Sequence, residues 1–201
     1  MSGPANANGF VLAGGGSRRM GRDKALIAIQ GRPLVQIAAE LLRPICRRTF
    51  LLAPADRYPF LDLPAIPDGR AGSGPLAALL AGLERSDTDL NLFVPCDMPF
   101  LTVAVFEEIL AMSEGADAVV PQDTQGRWFP LSAGYRRRCV PAIEACLAAG
   151  KGRADSFFPS VVVHPLATEN YPEATFANIN SPSDLRRWRM SGGRDHPVPQ
   201  P

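Results

Sequence analysis

Residues Leu12 to Lys24 read LAGGGSRRMGRDK: an apolar run that breaks into glycines, arginines and one lysine. Phe10, Val11, Leu12 and Ala13 suit a short buried strand. Gly14, Gly15 and Gly16 then let the backbone turn tightly and approach a ligand without Cβ interference. Arg18, Arg19 and Lys24 place three cations within seven residues. A strand, a glycine loop, cations and then a helix is how α/β proteins hold phosphates, because backbone N–H groups and side-chain charge converge on the anion. The stretch therefore predicts an α/β fold that handles a nucleotide.

Two familiar phosphate motifs do not fit. A Walker A loop requires Gly, four residues, then Gly-Lys-Ser/Thr; Gly16 and Gly21 have that separation, but Arg22, Asp23 and Lys24 follow. A dinucleotide fingerprint starting at Gly14 and Gly16 demands glycine where Arg19 stands. The competing reading is a glycine-rich surface turn with solvated arginines. Its placement directly after an apolar strand favours phosphate binding.

Outward from that loop, apolar strand-like runs alternate with amphipathic helical ones, the pattern of parallel βαβ units. Strands are expected at 9–13, 49–53, 90–95, 116–121 and 161–164, and helices at 33–43, 74–84, 102–112, 140–149 and 182–190. Thr102 is a candidate helix cap, and Pro182 suits a first helical turn after Ser181. Residues 128–135 read as a further strand that need not be parallel, and 175–177 as strand-like. The expected organisation is a flexible N-terminus over 1–8, one domain over 9–190 and a disordered proline- and glycine-containing tail over 191–201.

Composition narrows the classes. The chain has 201 residues, 46% hydrophobic, enough for one well-cored domain. A formal net charge of +1 gives no whole-protein field for nucleic acid or a membrane surface, so positive potential must be local to Arg18, Arg19 and Lys24. Residues 1–8 are small and polar rather than signal-like, and no apolar run is long enough to span a bilayer. Cys46, Cys96, Cys139 and Cys146 lie far apart, which predicts free thiols and a cytoplasmic setting.

In open α/β sheets, ligands bind beyond the carboxyl ends of strands. Besides the glycine loop, two further segments fall there: Pro67-Asp68-Gly69-Arg70-Ala71-Gly72-Ser73-Gly74-Pro75-Leu76, and Pro95-Cys96-Asp97-Met98-Pro99-Phe100. Taken alone, Asp97 reads as a turn or cap residue. Beside a phosphate loop it reads as a Mg2+ ligand, since Mg2+ takes few carboxylates plus substrate oxygens. Asp68 either shapes its turn, contacts ribose hydroxyls or serves the metal. Asn178-Ile179-Asn180-Ser181-Pro182 offers amide donors and acceptors suited to a polar heterocycle, and equally an ordinary turn and cap.

Together, Leu12-Ala13-Gly14-Gly15 through Asp23-Lys24, Gly72-x-Gly74-Pro75-Leu76, Cys96-Asp97-Met98-Pro99 and Asn178-Ile179-Asn180-Ser181-Pro182 resemble the molybdenum cofactor guanylyltransferases, over about residues 9 to 190. That resemblance implies a single-domain, Rossmann-like nucleotidylyltransferase fold of the glycosyltransferase-A-like type, with a mostly parallel central sheet flanked by helices. It implies transfer of GMP from GTP to the phosphate of molybdopterin, with release of pyrophosphate and Mg2+ as cofactor. Leu12, Ala13, Gly14 and Gly15 are then nucleotide-binding, Lys24 and Arg19 neutralise phosphates, Asp68 lies by the nucleotide, Asp97 holds the metal, and Asn178 and Asn180 face the pterin. Molybdoenzyme apo-proteins or cofactor-insertion proteins are the implied protein partners. Many members carry a base-side asparagine after the second strand; here Leu52-Ala53-Pro54-Ala55-Asp56 has none. The alternatives are a cytidylyltransferase acting on the same cofactor, where Leu-Ala-Ala-Gly is usual, a sugar-1-phosphate nucleotidylyltransferase, and a non-catalytic nucleotide- or cofactor-binding adaptor. The attacking group in the transferase reading is already an anion, so neither histidine, His164 or His196, is needed for catalysis.

Overall fold

The computed structural model describes residues 5–14, 23–67, 74–181, 183, 184 and 186. Strand β1 (Ala5–Leu12) lies inside the sheet, and Ala7 through Val11 are all buried, as expected of a strand covered on both faces. Its neighbours are β4 (Cys46–Leu52) and β6 (Leu90–Pro95), both parallel to it. Between β1 and β4 come a hairpin, β2 (Ala28–Ile29) with β3 (Arg32–Pro33), and helix α1 (Leu34–Leu42). The short β5 (Ala65–Ile66) and helix α2 (Gly74–Arg85) lead to β6. Helix α3 (Val103–Ala111) follows, then β7 (Ala118–Gln122), β8 (Gly134–Arg136), α4 (Val140–Ala148) and β9 (Val163–Ala167). Among the described residues the large sheet has the order β5-β4-β1-β6-β8-β7-β9. Only β8 runs antiparallel to its neighbours.

Alternation along the strands divides the core. Phe10 lies in register with Phe50 and Phe93, and the three rings stack at 5.3 and 4.9 Å between centroids. They join Leu76, Leu79 and Leu83 of α2 and Ile143 of α4 on one face. Val11, Leu51 and Val94 point to the other face, against α1 and α3. Helix α2 comes so close that a Cβ on Gly82 would lie 2.8 Å from the Phe93 ring. A third, small cluster of Ile29, Leu34, Ile37, Phe100 and Ile179 fastens the hairpin to the loops beyond β6 and to the 178–180 segment.

Several local expectations are corrected. β1 starts at Ala5, inside the stretch expected to be flexible, and Ala5 N–H donates to Ile45 C=O at 3.0 Å. The cation loop leads into a 3-10 turn, Lys24–Leu26, and the hairpin before any α-helix begins. The hairpin turns on Gln30 and Gly31 at φ 51° and 80°, the positive pair of a type I′ turn. The expected strand 128–135 reduces to Gly134–Arg136, because the chain inserts only its end between β6 and β7 and uses the rest as a rim loop. Residues 173–176 form a 3-10 turn rather than a strand: Phe176 packs against Phe129 and Tyr171, and that packing favours a coiled backbone. Thr102 does occupy the N-cap of α3, but with its carbonyl bonded to Val105 N–H and no side-chain cap. Of the expected helix 182–190, the described residues Ser183, Asp184 and Arg186 are helical; the tail 191–201 lies outside the described residues.

Candidate active site

The carboxyl ends of β1, β4 and β6 are level, with Leu12 in register with both Leu52 and Pro95. Beyond them the backbone stays knitted together. Ala13 N–H donates to Leu52 C=O at 3.1 Å, and Cys96 N–H donates to Leu12 C=O at 3.2 Å. Leu12, Ala13 and Gly14 therefore stand where a nucleotide is expected, while part of their hydrogen-bonding capacity already serves the strands. Gly15, Arg19 and Asp68 lie outside the described residues.

Lys24 and Asp97 meet here. Lys24 opens the 3-10 turn after Asp23, Asp97 follows the end of β6, and Lys24 Nζ donates to Asp97 Oδ2 at 2.7 Å. Both side chains are partly buried, 26% and 17% exposed. Asp97 also fixes the 178–180 segment, for its carbonyl accepts Ile179 N–H at 2.7 Å. Ile179 is buried, while Asn178 and Asn180 on either side of it are exposed. Asn180 N–H donates to the Asp184 carboxylate at 3.0 Å, and Asp184 N–H donates to Ser181 Oγ at 3.1 Å. This segment thus performs the turn and capping role as well as presenting Asn178.

A cavity of about 450 Å3 opens beside Asp97, within the usual size of small-molecule sites. Asn178 lines it, together with Trp128, Arg127 and Ser132 from the rim loop before β8 and Arg153 from the segment after α4. Trp128 is braced edge-on by Phe158 at 5.4 Å between centroids. Arg127 lies 5.2 Å over the Phe129 ring, and Arg153 makes a two-bond contact with Asp155 at 3.0 and 2.8 Å. That arginine holds the Asp155 carboxyl below its usual range. The cavity therefore combines an aromatic wall, amide and hydroxyl groups, and cations near its rim.

Asp23, in sequence no more than part of a motif, organises the approach to Lys24. Its carboxylate accepts from Ala25 N–H at 3.1 Å, Arg57 Nε at 3.0 Å and the Tyr58 hydroxyl at 2.7 Å. Arg57 and Tyr58 lie beyond the carboxyl end of β4, a position that marks ligand-side loops and that could have directed attention to them. Cys96, next to Asp97, is not a nucleophile: burial pushes its thiol up to about 12.

The donor set suits a metal held chiefly by substrate. Among the described residues no group of three or more His, Cys, Asp or Glu side chains forms a metal cage. A single strand-end carboxylate completed by phosphate oxygens matches the coordination that Mg2+ accepts. No helix of the described residues is long and apolar enough to cross a membrane.

A parallel-sheet domain with a lysine–aspartate pair at its strand ends and a ligand-sized cavity alongside has the form of a nucleotidyltransferase. The structure of 2-C-methyl-D-erythritol 4-phosphate cytidylyltransferase from Thermus thermophilus has the same fold, with a TM-score of 0.67 at 17% identity over 92% of this chain and 98% of that one. So does molybdopterin-guanine dinucleotide biosynthesis protein A from Archaeoglobus fulgidus, with a TM-score of 0.76 at 23% identity, covering 93% and 99%. Residues 9–162 match the MobA-like NTP transferase domain, and the chain belongs to that family. Among its relatives is the probable molybdenum cofactor guanylyltransferase of Pelotomaculum thermopropionicum, 35% identical over 190 residues and 92% of each chain. Another is the molybdenum cofactor guanylyltransferase of Serratia proteamaculans, 32% identical over 189 residues, 92% of this chain and 95% of that one. The chain is an enzyme, a nucleotidyltransferase, and transferases of this family typically use a divalent metal.

Proposed function

We propose that the enzyme transfers GMP from GTP to the phosphate of molybdopterin, forming the guanine dinucleotide and releasing pyrophosphate. The observation that carries this reading is the Lys24–Asp97 pair at the edge of the Trp128–Asn178 cavity: phosphate chemistry on one side, room for a flat polar heterocycle on the other. An oxygen of the acceptor phosphate attacks the α-phosphorus of GTP, and the bond to the β-phosphate oxygen breaks. Because the attacking oxygen is already anionic, no side chain has to remove a proton. The residues' work is to position two anions and offset their charge, which is most of phosphoryl-transfer catalysis.

In this mechanism Leu12, Ala13, Gly14 and Gly15 line the nucleotide side. Lys24 and Arg19 offset phosphate charge, Asp68 lies near the nucleotide, and Asp97 is the protein ligand for Mg2+. Mg2+ supplies charge neutralisation and a fixed geometry for the phosphates. Asn178 and Trp128 hold the pterin, Asn178 through its amide and Trp128 through its ring face. Asn180 borders that side. The reaction belongs in the cytoplasm, in keeping with four free cysteines, and the product passes to molybdoenzyme apo-proteins or cofactor-insertion proteins. The relatives' names support guanylyl over cytidylyl transfer and do not favour the sugar-phosphate or adaptor readings. Pyrophosphate release from GTP that depends on both molybdopterin and Mg2+ tests the reaction. Release that is independent of molybdopterin would remove the acceptor, and binding of GTP without any release would restore the adaptor.

A further inference from the structure

Tyr58 is 3% exposed, and its hydroxyl reaches two places far away in sequence. It donates to Asp23 Oδ2 at 2.7 Å and lies 3.3 Å from the carbonyl oxygen of Ala13. Ala13 and Asp23 stand on either side of the glycine- and arginine-rich segment 14–22. Lys24 follows Asp23 directly. We propose that Tyr58 is a positioning residue for the nucleotide, its hydroxyl fixing Ala13 and Lys24 relative to one another across that segment. The proposal rests on the nucleotidyl-transfer reading and adds to it a residue that touches neither substrate.

Three features support a positioning role over simple filling of the core. A phenylalanine would occupy the same apolar space, whereas the hydroxyl has polar partners only where the chain borders the nucleotide. The Asp23 carboxylate is held on both oxygens: Ala25 N–H donates to Oδ1, and Arg57 bonds Oδ2 while its guanidinium lies 5.6 Å from the Tyr58 ring centroid. Burial, and then the Asp23 carboxylate, hold the phenol above its ordinary value, so the hydroxyl stays a donor. The single hydroxyl proton is shared between the two acceptors in a three-centre bond, the shorter contact to Asp23 being the stronger arm and that to Ala13 the weaker. Tyr58 also comes from the loop after β4 that lacks the base-side asparagine, so this loop acts on the nucleotide through the backbone it braces.

Tyr58→Phe tests this by steady-state kinetics with GTP and molybdopterin, alongside calorimetric binding of GTP and Mg2+ without acceptor. Loss of a hydrogen bond to a charged group is expected to raise KM for GTP and weaken its binding by about tenfold. KM for molybdopterin should stay close to wild type, while the melting temperature should fall by the few degrees that one lost hydrogen bond costs. The double variant Asp23→Ala/Tyr58→Phe should be no worse than Asp23→Ala alone, because both changes cut one connection. An unchanged KM for GTP overturns the proposal, whether or not stability falls. Should Tyr58→Phe not fold, Arg57→Gln, which loosens the same carboxylate, must raise KM for GTP in its place, and a wild-type value there overturns the proposal equally. Failure of the wild-type protein to bind GTP overturns the nucleotidyl-transfer reading itself, and this inference with it.

Discussion

The Lys24 ammonium lies 2.7 Å from Oδ2 of Asp97, although 73 positions separate the two residues in the chain. One arrives from the turn after β1 and the other from the end of β6, so the parallel pairing of those strands is what brings them together. Each has a partner before any substrate arrives. In the proposed mechanism Asp97 would exchange an ammonium for a metal, and Lys24 would exchange a carboxylate for phosphate oxygens.

Removing either partner separates chemistry from folding. Lys24→Ala and Asp97→Ala are each expected to lower kcat by about two to three orders of magnitude, as when a preorganised charge is lost from a polar transition state. Because the pair is partly solvated, stability should change by no more than about 1 kcal/mol. Rates at saturating Mg2+ and thermal melts of the same samples check both halves.

The same pair predicts competition with metal. In Lys24→Ala the Asp97 carboxylate no longer has its ammonium, so Mn2+ should bind the nucleotide-free protein more tightly than it binds wild type. Electron paramagnetic resonance titration measures this. Weaker binding in the variant would remove Asp97 from the metal site.

Trp128 lines the cavity that the proposed function gives to the acceptor. Trp128→Ala should raise KM for molybdopterin by about threefold to tenfold, the scale of a lost aromatic contact, while KM for GTP holds. Initial rates with each substrate varied in turn separate the two constants. A rise in the GTP constant instead would move this wall to the nucleotide side.

Much of this was legible from residues 12–24 and 90–98. An apolar run with glycines and cations beyond it specified a parallel strand with a ligand end, and β6 occupies 90–95 as read. Helix α2 begins at Gly74 as expected. The rim loop was harder to read: residues 128–135 are apolar enough for a strand, yet β8 covers only Gly134–Arg136, wedged in from the opposite direction, and Trp128 makes just an isolated bridge to Gln122. The hairpin escaped notice because two-residue strands carry no period. Tyr58 and Arg57 escaped for a different reason. Their role depends on reaching Asp23 across 35 and 34 positions, a relation that no local pattern encodes.

Gly74 packs the start of α2 against the segment that carries Arg153. It sits at φ 75°, where a side chain is strained, and an added Cβ would lie 2.7 Å from Gly152 C=O. That same carbonyl accepts Leu76 N–H at 3.2 Å and precedes Arg153 of the cavity rim. Gly74→Ala should therefore destabilise the protein by about 1–3 kcal/mol and raise KM for molybdopterin. Urea melts and acceptor kinetics check the two effects.

Acid should act through Asp117. Burial alone would raise its carboxyl, but Val162 N–H, the Arg138 guanidinium and Arg136 outweigh it and hold it below the ordinary 3.8. A carboxylate depressed in the folded state stabilises fully above its unfolded value and loses that contribution as pH falls through its folded value. Wild type should thus exceed Asp117→Asn in stability by a constant margin at neutral pH, and the margin should shrink below about pH 4. Melting temperatures across pH 2–7 measure it.

The most direct test supplies molybdopterin, Mg2+ and equal amounts of the four ribonucleoside triphosphates, and identifies the product by mass spectrometry. The guanine dinucleotide is the predicted product. A cytosine dinucleotide would contradict the base assignment, and no dinucleotide with the pterin intact would contradict the acceptor.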